Sequence, residues 1–441
     1  MGRTVGRLWG FACVLALIVA FSCGCSAPRQ ASDWLAVDDI TPGWLLQDAA
    51  TDCAIAADSH GHVALTFVRR DSTGKNLWLA ISRDSGVMFA EPVRVNARPG
   101  SVASYPEGRP YAVFGANGGL AITWGDRRPD STGAVDVMVR ASGDGGATFG
   151  PAVVVNDDQR LIADNARNWS WRWHHQWRPD AYHGFPALTY LSDGTLFSAW
   201  LDERENPATE GEPTSSSLYS ATSHDGGQTW SENVRIATVV CPCCRPMALS
   251  DPSGRIAVAY RRAANDLRDP ALAVSFDGGR TFPIDTLISA DRWLLKACPD
   301  QGPAISADPT TAQYAWYTGA HPAGVYLVPW SSEHGASGIR RPLADSIVDA
   351  RSPRLAKLSV ATLVAVEARP ASDTTRNVLA VRTLDHNGTL SPWSFLGANV
   401  SGAWIAAQDG PSALACWTEH DGEKRHLRVA RLRVRAQPTR L

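Results

Sequence analysis

The groups best equipped for chemistry in this chain of 441 residues are thiols, guanidiniums and indoles, and each kind is clustered. Cys241-Pro242-Cys243-Cys244 places three thiols within four residues, and Cys298 lies further along. Thiolates are soft donors, so four of them close together suit Cu(I) or Zn(II), with His183 as a further nitrogen donor. The spacing departs from the usual zinc-ligand patterns. The same thiols can equally form two disulfides that pin neighbouring loops, one of them between Cys244 and Cys298. Arginines recur beside acids: Arg69-Arg70-Asp71, Asp126-Arg127-Arg128, Asp202-Glu203-Arg204-Glu205, Arg261-Arg262 and Arg268-Asp269, with Arg245 next to the cysteines. A guanidinium grips a carboxylate or sulfate through two parallel hydrogen bonds, so several converging on one pocket would bind an anion. An Asp-x-Arg step can instead tie neighbouring elements together. Residues 165–183 interleave Trp169, Trp171, Trp173 and Trp177 with Arg and His. That segment reads as a stacking platform for sugar rings, or as a long loop with a small core of its own.

Something must gather these groups, and composition limits what. Lys plus Arg is 42 and Asp plus Glu is 44, a net charge of −2 that gives no charge-driven case for nucleic acid or an anionic membrane as main partner. With 44% hydrophobic and 20% charged residues the chain is globular. Its 37 Gly and 28 Pro are spread along the length, the punctuation of many short strands joined by turns. Apolar strands at 63–68, 120–124, 196–200, 256–260, 313–317, 363–367 and 413–417 each form the second strand of a hairpin, which makes seven repeating units. The last unit has room for three strands, and residues 34–40 can supply the fourth, clasping the two ends of the chain together.

The N terminus is an address. Arg3 and Arg7 precede an apolar run, residues 8–21, that ends at Ser22-Cys23-Gly24-Cys25-Ser26. A basic start, an apolar stretch and small residues at its end describe a secretory signal, and the run is shorter than the roughly 20 residues a spanning helix needs. A Cys after a small residue here resembles the bacterial lipoprotein processing site, which implies lipidation of Cys25 or Cys23. Residues 1–25 then form the signal and 26–441 an exported domain, lipid-anchored in the cell envelope, with plain secretion as the alternative. Outside the signal region six Cys remain: Cys53, Cys241, Cys243, Cys244, Cys298 and Cys416. An even number in an oxidising compartment favours disulfides, and Cys53 with Cys416, on the first and last hairpins, would staple the closure.

Four segments share the pattern Ser-x-Asp-x-Gly-x-x-aromatic, centred on Asp84, Asp144, Asp225 and Asp277. It resembles the Asp-box of sialidases and related β-propellers. Turn chemistry explains the pattern: the Asp accepts from backbone N–H groups of its own turn, the Gly supplies positive φ, and the aromatic plugs the space beneath. The boxes are therefore expected to be structural. The resemblance implies an all-β chain forming a single β-propeller of four-stranded blades, seven favoured and six possible, closed by its N- and C-terminal strands.

In such a wheel the loops between second and third strands, and those leading into the next blade, emerge on the face opposite the boxes. Nearly every clustered Arg, Cys and Trp sorts to that face. The expected ligand-binding set is Arg69, Arg127, Arg128, Arg204, Arg245, Arg262, Arg268, Trp171, Trp173 and His183. Sialidases hold a carboxylate with three Arg and pair a Tyr nucleophile with Glu and an Asp acid/base. That resemblance makes Asp126, Asp202 and Tyr317 the catalytic candidates, although the family's early Phe/Tyr-Arg-Ile-Pro signature is missing. The leading expectation is a monomeric binder of a carbohydrate or small anionic ligand. The alternatives are an exo-acting glycosidase on the same face and an envelope scaffold.

Overall fold

The computed structural model describes residues 33–47, 49–129, 133–158, 181–205, 215–306, 312–331, 335–336 and 338–435. The signal at 1–25 and the Trp-rich segment with Trp171 and Trp173 lie outside the described residues. Among the described residues the strands form seven antiparallel blades. Blade 1 consists of Thr51–Ala57, Val63–Asp71, Gly74–Ser82 and Val93–Arg94. Blade 2 is built on Tyr111–Phe114, Leu120–Arg127, Val135–Ser142 and Val153–Val154. Blade 3 runs His183–Tyr190, Leu196–Asp202, Ser216–Ser223 and Val234–Val240, and blade 4 runs Met247–Ser250, Ile256–Arg262, Asp269–Ser275 and Ile284–Leu287. Pairing of Val240 with Arg262 joins these two edge to edge. Blade 5 contains Ala304–Ser306, Gln313–Thr318, Gly324–Ser331 and Arg341–Pro342, and blade 6 contains Ile347–Lys357, Thr362–Pro370, Val378–Leu384 and Ser394–Leu396.

Blade 7 contains both ends of the chain. Val400–Ala407, Ser412–Asp421 and Lys424–Val434 are completed on the outside by Leu35–Asp39, in register from Leu35 opposite Val434 to Asp39 opposite Ala430. The expected clasp is present, and the count is seven. The innermost strand of each blade touches that of the next, and Thr51–Ala57 touches Val400–Ala407, so the ring closes. Closure removes exposed sheet edges, the usual hazard of an all-β chain.

The four boxes carry out the turn chemistry read from their sequence. In the first, Asp84 Oδ1 accepts from Ser82 Oγ at 2.7 Å and from the backbone N–H groups of Val87 and Met88 at 3.0 and 2.9 Å. The hydrogen bond from Thr229, with those from Ser223 and Gln228, holds the Asp225 carboxyl down at about 2. Gly146 sits at φ +85°, where a Cβ would meet Ile81 Cδ1 at 2.3 Å, so only glycine fits there. Phe89, Phe149, Trp230 and Phe282 all pack against the core.

A second repeated device locks the blades. Trp124, Trp200 and Trp316 are fully buried, and each indole N–H donates to a carboxylate: Asp126 at 3.1 Å, Asp202 at 2.8 Å and Asp291 at 2.7 Å. Each carboxylate also holds an arginine, respectively Arg98, Arg204 and Arg340. A buried aromatic, its acid and an arginine thus form one unit that satisfies every polar group it buries.

Candidate functional site

The innermost strands start at the loop face, and in four blades they start with a bulge. The register shifts between Thr51 and Ala54, between Gly184 and Ala187, in two steps from Val348 to Arg354, and between Ser401 and Trp404. Asp52, Phe185, Ser352 and Gly402 take positive φ at these points, 51°, 53°, 49° and 63°. A bulge inserts a residue and re-aims the side chains beyond it. Arg354 and Trp404 follow two such bulges, and with Glu107, Arg109 and Arg245 they fill the top of the propeller axis.

At the axis, the Glu107 carboxylate is 4% exposed and lies 3.2 Å from Arg354 Nη2 and 3.5 Å from Arg245 Nε. It also accepts the backbone N–H of Gly302 at 3.3 Å. Arg109 donates to the carbonyls of Pro106 and Cys53 at 2.8 and 3.0 Å. The guanidiniums of Arg109, Arg245 and Arg354 stand 5.6, 5.3 and 5.1 Å from the Trp404 ring centre, within cation–π range. Burial alone would raise the Glu107 carboxyl, but Arg354, Arg245 and Arg109 together hold it below its ordinary value. Burial, with Arg354 close by, pushes Arg245 down to about 10. Three cations against one anion leave a positive surplus just beneath Pro106.

Pro106 is also part of the floor of a cleft of about 940 Å³ on the loop face, where blades 7, 1 and 2 meet. Arg70, Lys75, Lys424, Arg425 and His426 line it, opposed by Asp52 and Glu423. Arg70, Lys424 and Arg425 are exposed. Lys75 donates to Ser104 O at 2.5 Å and lies 3.8 Å from Asp52, and burial pulls its ammonium down against the pull of Asp52. Tyr105, 43% exposed, stands at the cleft with its ring stacked on Phe185 at 6.2 Å.

The arginines expected to ring a pocket are placed otherwise, Arg245 excepted. Arg69 stacks on Phe67 and Trp78 at 4.9 and 4.8 Å. Arg127 is exposed and donates to Val102 O, and Arg128 bridges Asp136 and Asp158 at 2.7 and 2.8 Å. Arg204 is held by Asp202 and Asp157, Arg262 by Asp285, and Arg268 lies 4.0 Å from Asp266. Of the catalytic candidates, Asp126 and Asp202 belong to the tryptophan locks. Tyr317 packs edge-on to Trp293 at 5.5 Å and has no carboxylate partner among the described residues. The Tyr–Glu pair that does form is Tyr219 with Glu205, 2.7 Å apart and close to Arg235. Burial and the Glu205 carboxylate push that phenol far up.

Two groups the sequence tied to the cysteines also resolve. His183 is fully buried, its Nδ1 2.9 Å from Val135 O and its Nε2 3.5 Å from both Asp158 and Asp202. It belongs to the blade 2–3 junction and not to the thiols. Cys241, Cys243 and Cys244 are buried together, with Cys241 Sγ 3.9 Å from Cys243 Sγ and 3.4 Å from Cys244 Sγ. Hydrogen bonds from Cys243 and Cys244 pull the Cys241 thiol well below its ordinary range. The exposed Cys298 neighbours both Cys243 and Cys244. Cys53 and Cys416 are buried against each other across the closure, as thiols.

Tyr105, Glu107 and Arg109 fall in the loop leading into blade 2 and so sort in sequence to this face, whereas Lys75, Arg354, Trp404, Lys424 and Arg425 lie within strands and outside the clustered charges. A local signal exists: Arg109-Pro110 and Arg245-Pro246 put an Arg beside a Pro just before an innermost strand, and Pro353-Arg354 does so where one resumes after its bulge.

No protein-family profile matches the chain, and no curated protein does. Solved structures do. A protein of unknown function from Dyadobacter fermentans superposes with a TM-score of 0.51 at 14% identity, over 92% of this chain and 100% of that one. The fold is that of an Asp-box β-propeller. An α-L-arabinofuranosidase from Fusarium graminearum gives a TM-score of 0.46 at 14% identity, over 87% of this chain and 93% of that one. A Trypanosoma rangeli sialidase in complex with sialic acid gives 0.47 at 11% identity, over 87% of this chain and 54% of that one. Likeness at this level of identity concerns the fold alone.

Proposed function

We propose that the chain is a binding propeller for an acidic carbohydrate or other small anion, exported and lipid-anchored, with the ligand seated in the cleft where blades 7, 1 and 2 meet. The observation that carries this reading is the cleft's charge: Arg70, Lys75, Lys424 and Arg425 outnumber Asp52 and Glu423, above an axis with its own cationic surplus. A concave, net-positive surface concentrates anions, and an exposed aromatic such as Tyr105 offers a face for a sugar ring. The candidate catalytic carboxylates Asp126 and Asp202 are engaged in structural locks, which favours binding over hydrolysis.

Calorimetric titration of the full chain with carboxylated, sulfated and neutral oligosaccharides tests the reading. Saturable binding of the acidic members is expected, weakening with salt and falling at least tenfold in Arg70→Ala, Arg425→Ala or Tyr105→Ala. Equal affinity for neutral sugars, or acidic binding indifferent to all three substitutions, overturns it. Turnover of a glycoside at the cleft would move the assignment to a hydrolase. Fractionation tests the anchor, with Cys25→Ser expected to release the protein from membranes.

A further inference from the structure

A second site, independent of the anion cleft, is built from the buried thiols. Three observations converge on it. Cys241, Cys243 and Cys244 bring their sulfurs within 4.8 Å of one another, with two of the separations at 3.4 and 3.9 Å. An ion bound tetrahedrally by sulfurs at about 2.3 Å separates them by about 3.8 Å, so the trio already stands close to ligand spacing. The exposed Cys298 and the Asp300 carboxyl, on the loop that follows blade 4, both neighbour Cys243.

One residue holds both halves of this arrangement. The backbone carbonyl of Arg261 accepts the N–H of Cys241 at 2.8 Å. Its guanidinium donates to Gln301 O at 3.1 Å, to Arg268 O at 2.9 Å and to Tyr317 O at 2.7 Å. The Cys241–Cys244 turn and the loop carrying Cys298 therefore both bond to Arg261, the first to its backbone carbonyl and the second, through Gln301, to its buried guanidinium. Arg261 and Arg268 also place positive charge near the sulfurs, where a cluster of thiolates needs compensation. His183 and the carboxylates around it contribute nothing here, since Arg128 already occupies Asp136 and Asp158.

We infer that Cys241, Cys243 and Cys244 bind one soft d10 ion, zinc(II) or copper(I), on the turn that links blades 3 and 4 at the loop face. Each coordinating thiol gives up its proton to solvent as its sulfur takes up the metal, so binding weakens as pH falls. Three buried sulfur donors suit a soft ion far better than magnesium or calcium. Arg261 is the positioning residue.

The test uses the full chain, kept reduced and free of oxygen, and titrated with cobalt(II) chloride. One cobalt per chain is expected, with the intense visible bands of a tetrahedral site and sulfur-to-cobalt charge transfer in the near ultraviolet. One equivalent of zinc sulfate should bleach them. Competition with bathocuproine disulfonate measures copper(I), and the tighter of the two ions identifies the occupant. Cys243→Ser should abolish binding. Cys416→Ala, at a buried thiol elsewhere, should retain one ion per chain. Arg261→Lys should lower affinity while leaving the cobalt band positions unchanged. Reduced protein that shows no cobalt bands, and no copper binding above Cys243→Ser, overturns the proposal. So does a mass spectrum pairing Cys241 with Cys244 and Cys243 with Cys298 in protein that binds neither ion after reduction.

Discussion

Replacing Glu107 by Gln removes the one carboxylate among three buried guanidiniums while nearly preserving volume. At an effective dielectric near 20, charges 3.2 and 3.5 Å apart attract by about 5 kcal/mol each, so the Arg354 and Arg245 contacts together supply about 10 kcal/mol of attraction. Desolvation of the carboxylate cancels much of this. What the substitution costs is the penalty of leaving buried charge unpaired, about 3–5 kcal/mol. Unfolding entropy of roughly 2.1 cal/mol/K per residue, over about 400 residues, turns that into a fall of about 4–6 °C in Tm. The loss should also depend on pH. The folded-state value for Glu107 lies below its unfolded one, so its contribution is complete above about 4.5 and fades as pH falls through the folded value. Wild type should therefore lose stability steadily in acid below that point, and Glu107→Gln should show a shallower decline. Differential scanning calorimetry from pH 3 to 7 reads both effects. A Tm unchanged at pH 7, or parallel acid declines for the two proteins, would refute the claim that this carboxylate neutralises the axis.

Two other outcomes are expected. Gly146→Ala should destabilise the fold by about 1–3 kcal/mol, because its Cβ meets Ile81 at positive φ, and should do so clearly more than Gly118→Ala, where φ is +81° but the space is open; equal thermal shifts would show that the contact beneath the box is irrelevant. Asp202→Ala should cost about 1–3 kcal/mol by chemical denaturation, since it orphans the Trp200 indole and leaves Arg204 with Asp157 as its remaining carboxylate, while the folded fraction still binds anions normally; a stable variant with lost binding would return Asp202 to the functional site.

The wheel itself was legible in the chain because its determinants are local. A box needs Ser, Asp, Gly and an aromatic at fixed offsets, since the bonds from Ser223, Gln228 and Thr229 to Asp225 all span four residues or fewer. A short apolar run marks the second strand of each unit, and the last unit, with room for three strands, left a place for residues 34–40. The site was not legible to the same degree. Arg204 or Arg262 looks in sequence like a free anion-binding group, yet each is neutralised by an acid that only blade packing brings within 3 Å. The residues that do meet at the axis, Glu107, Arg245, Arg354 and Trp404, come from four places in the chain, and bulges before Arg354 and Trp404 override the alternation that would have set their direction. Turn chemistry and strand period act over a few residues and can be read from the sequence. Charge pairing acts through space, so the closed ring had to exist before it could be decided which cations remain open to a ligand.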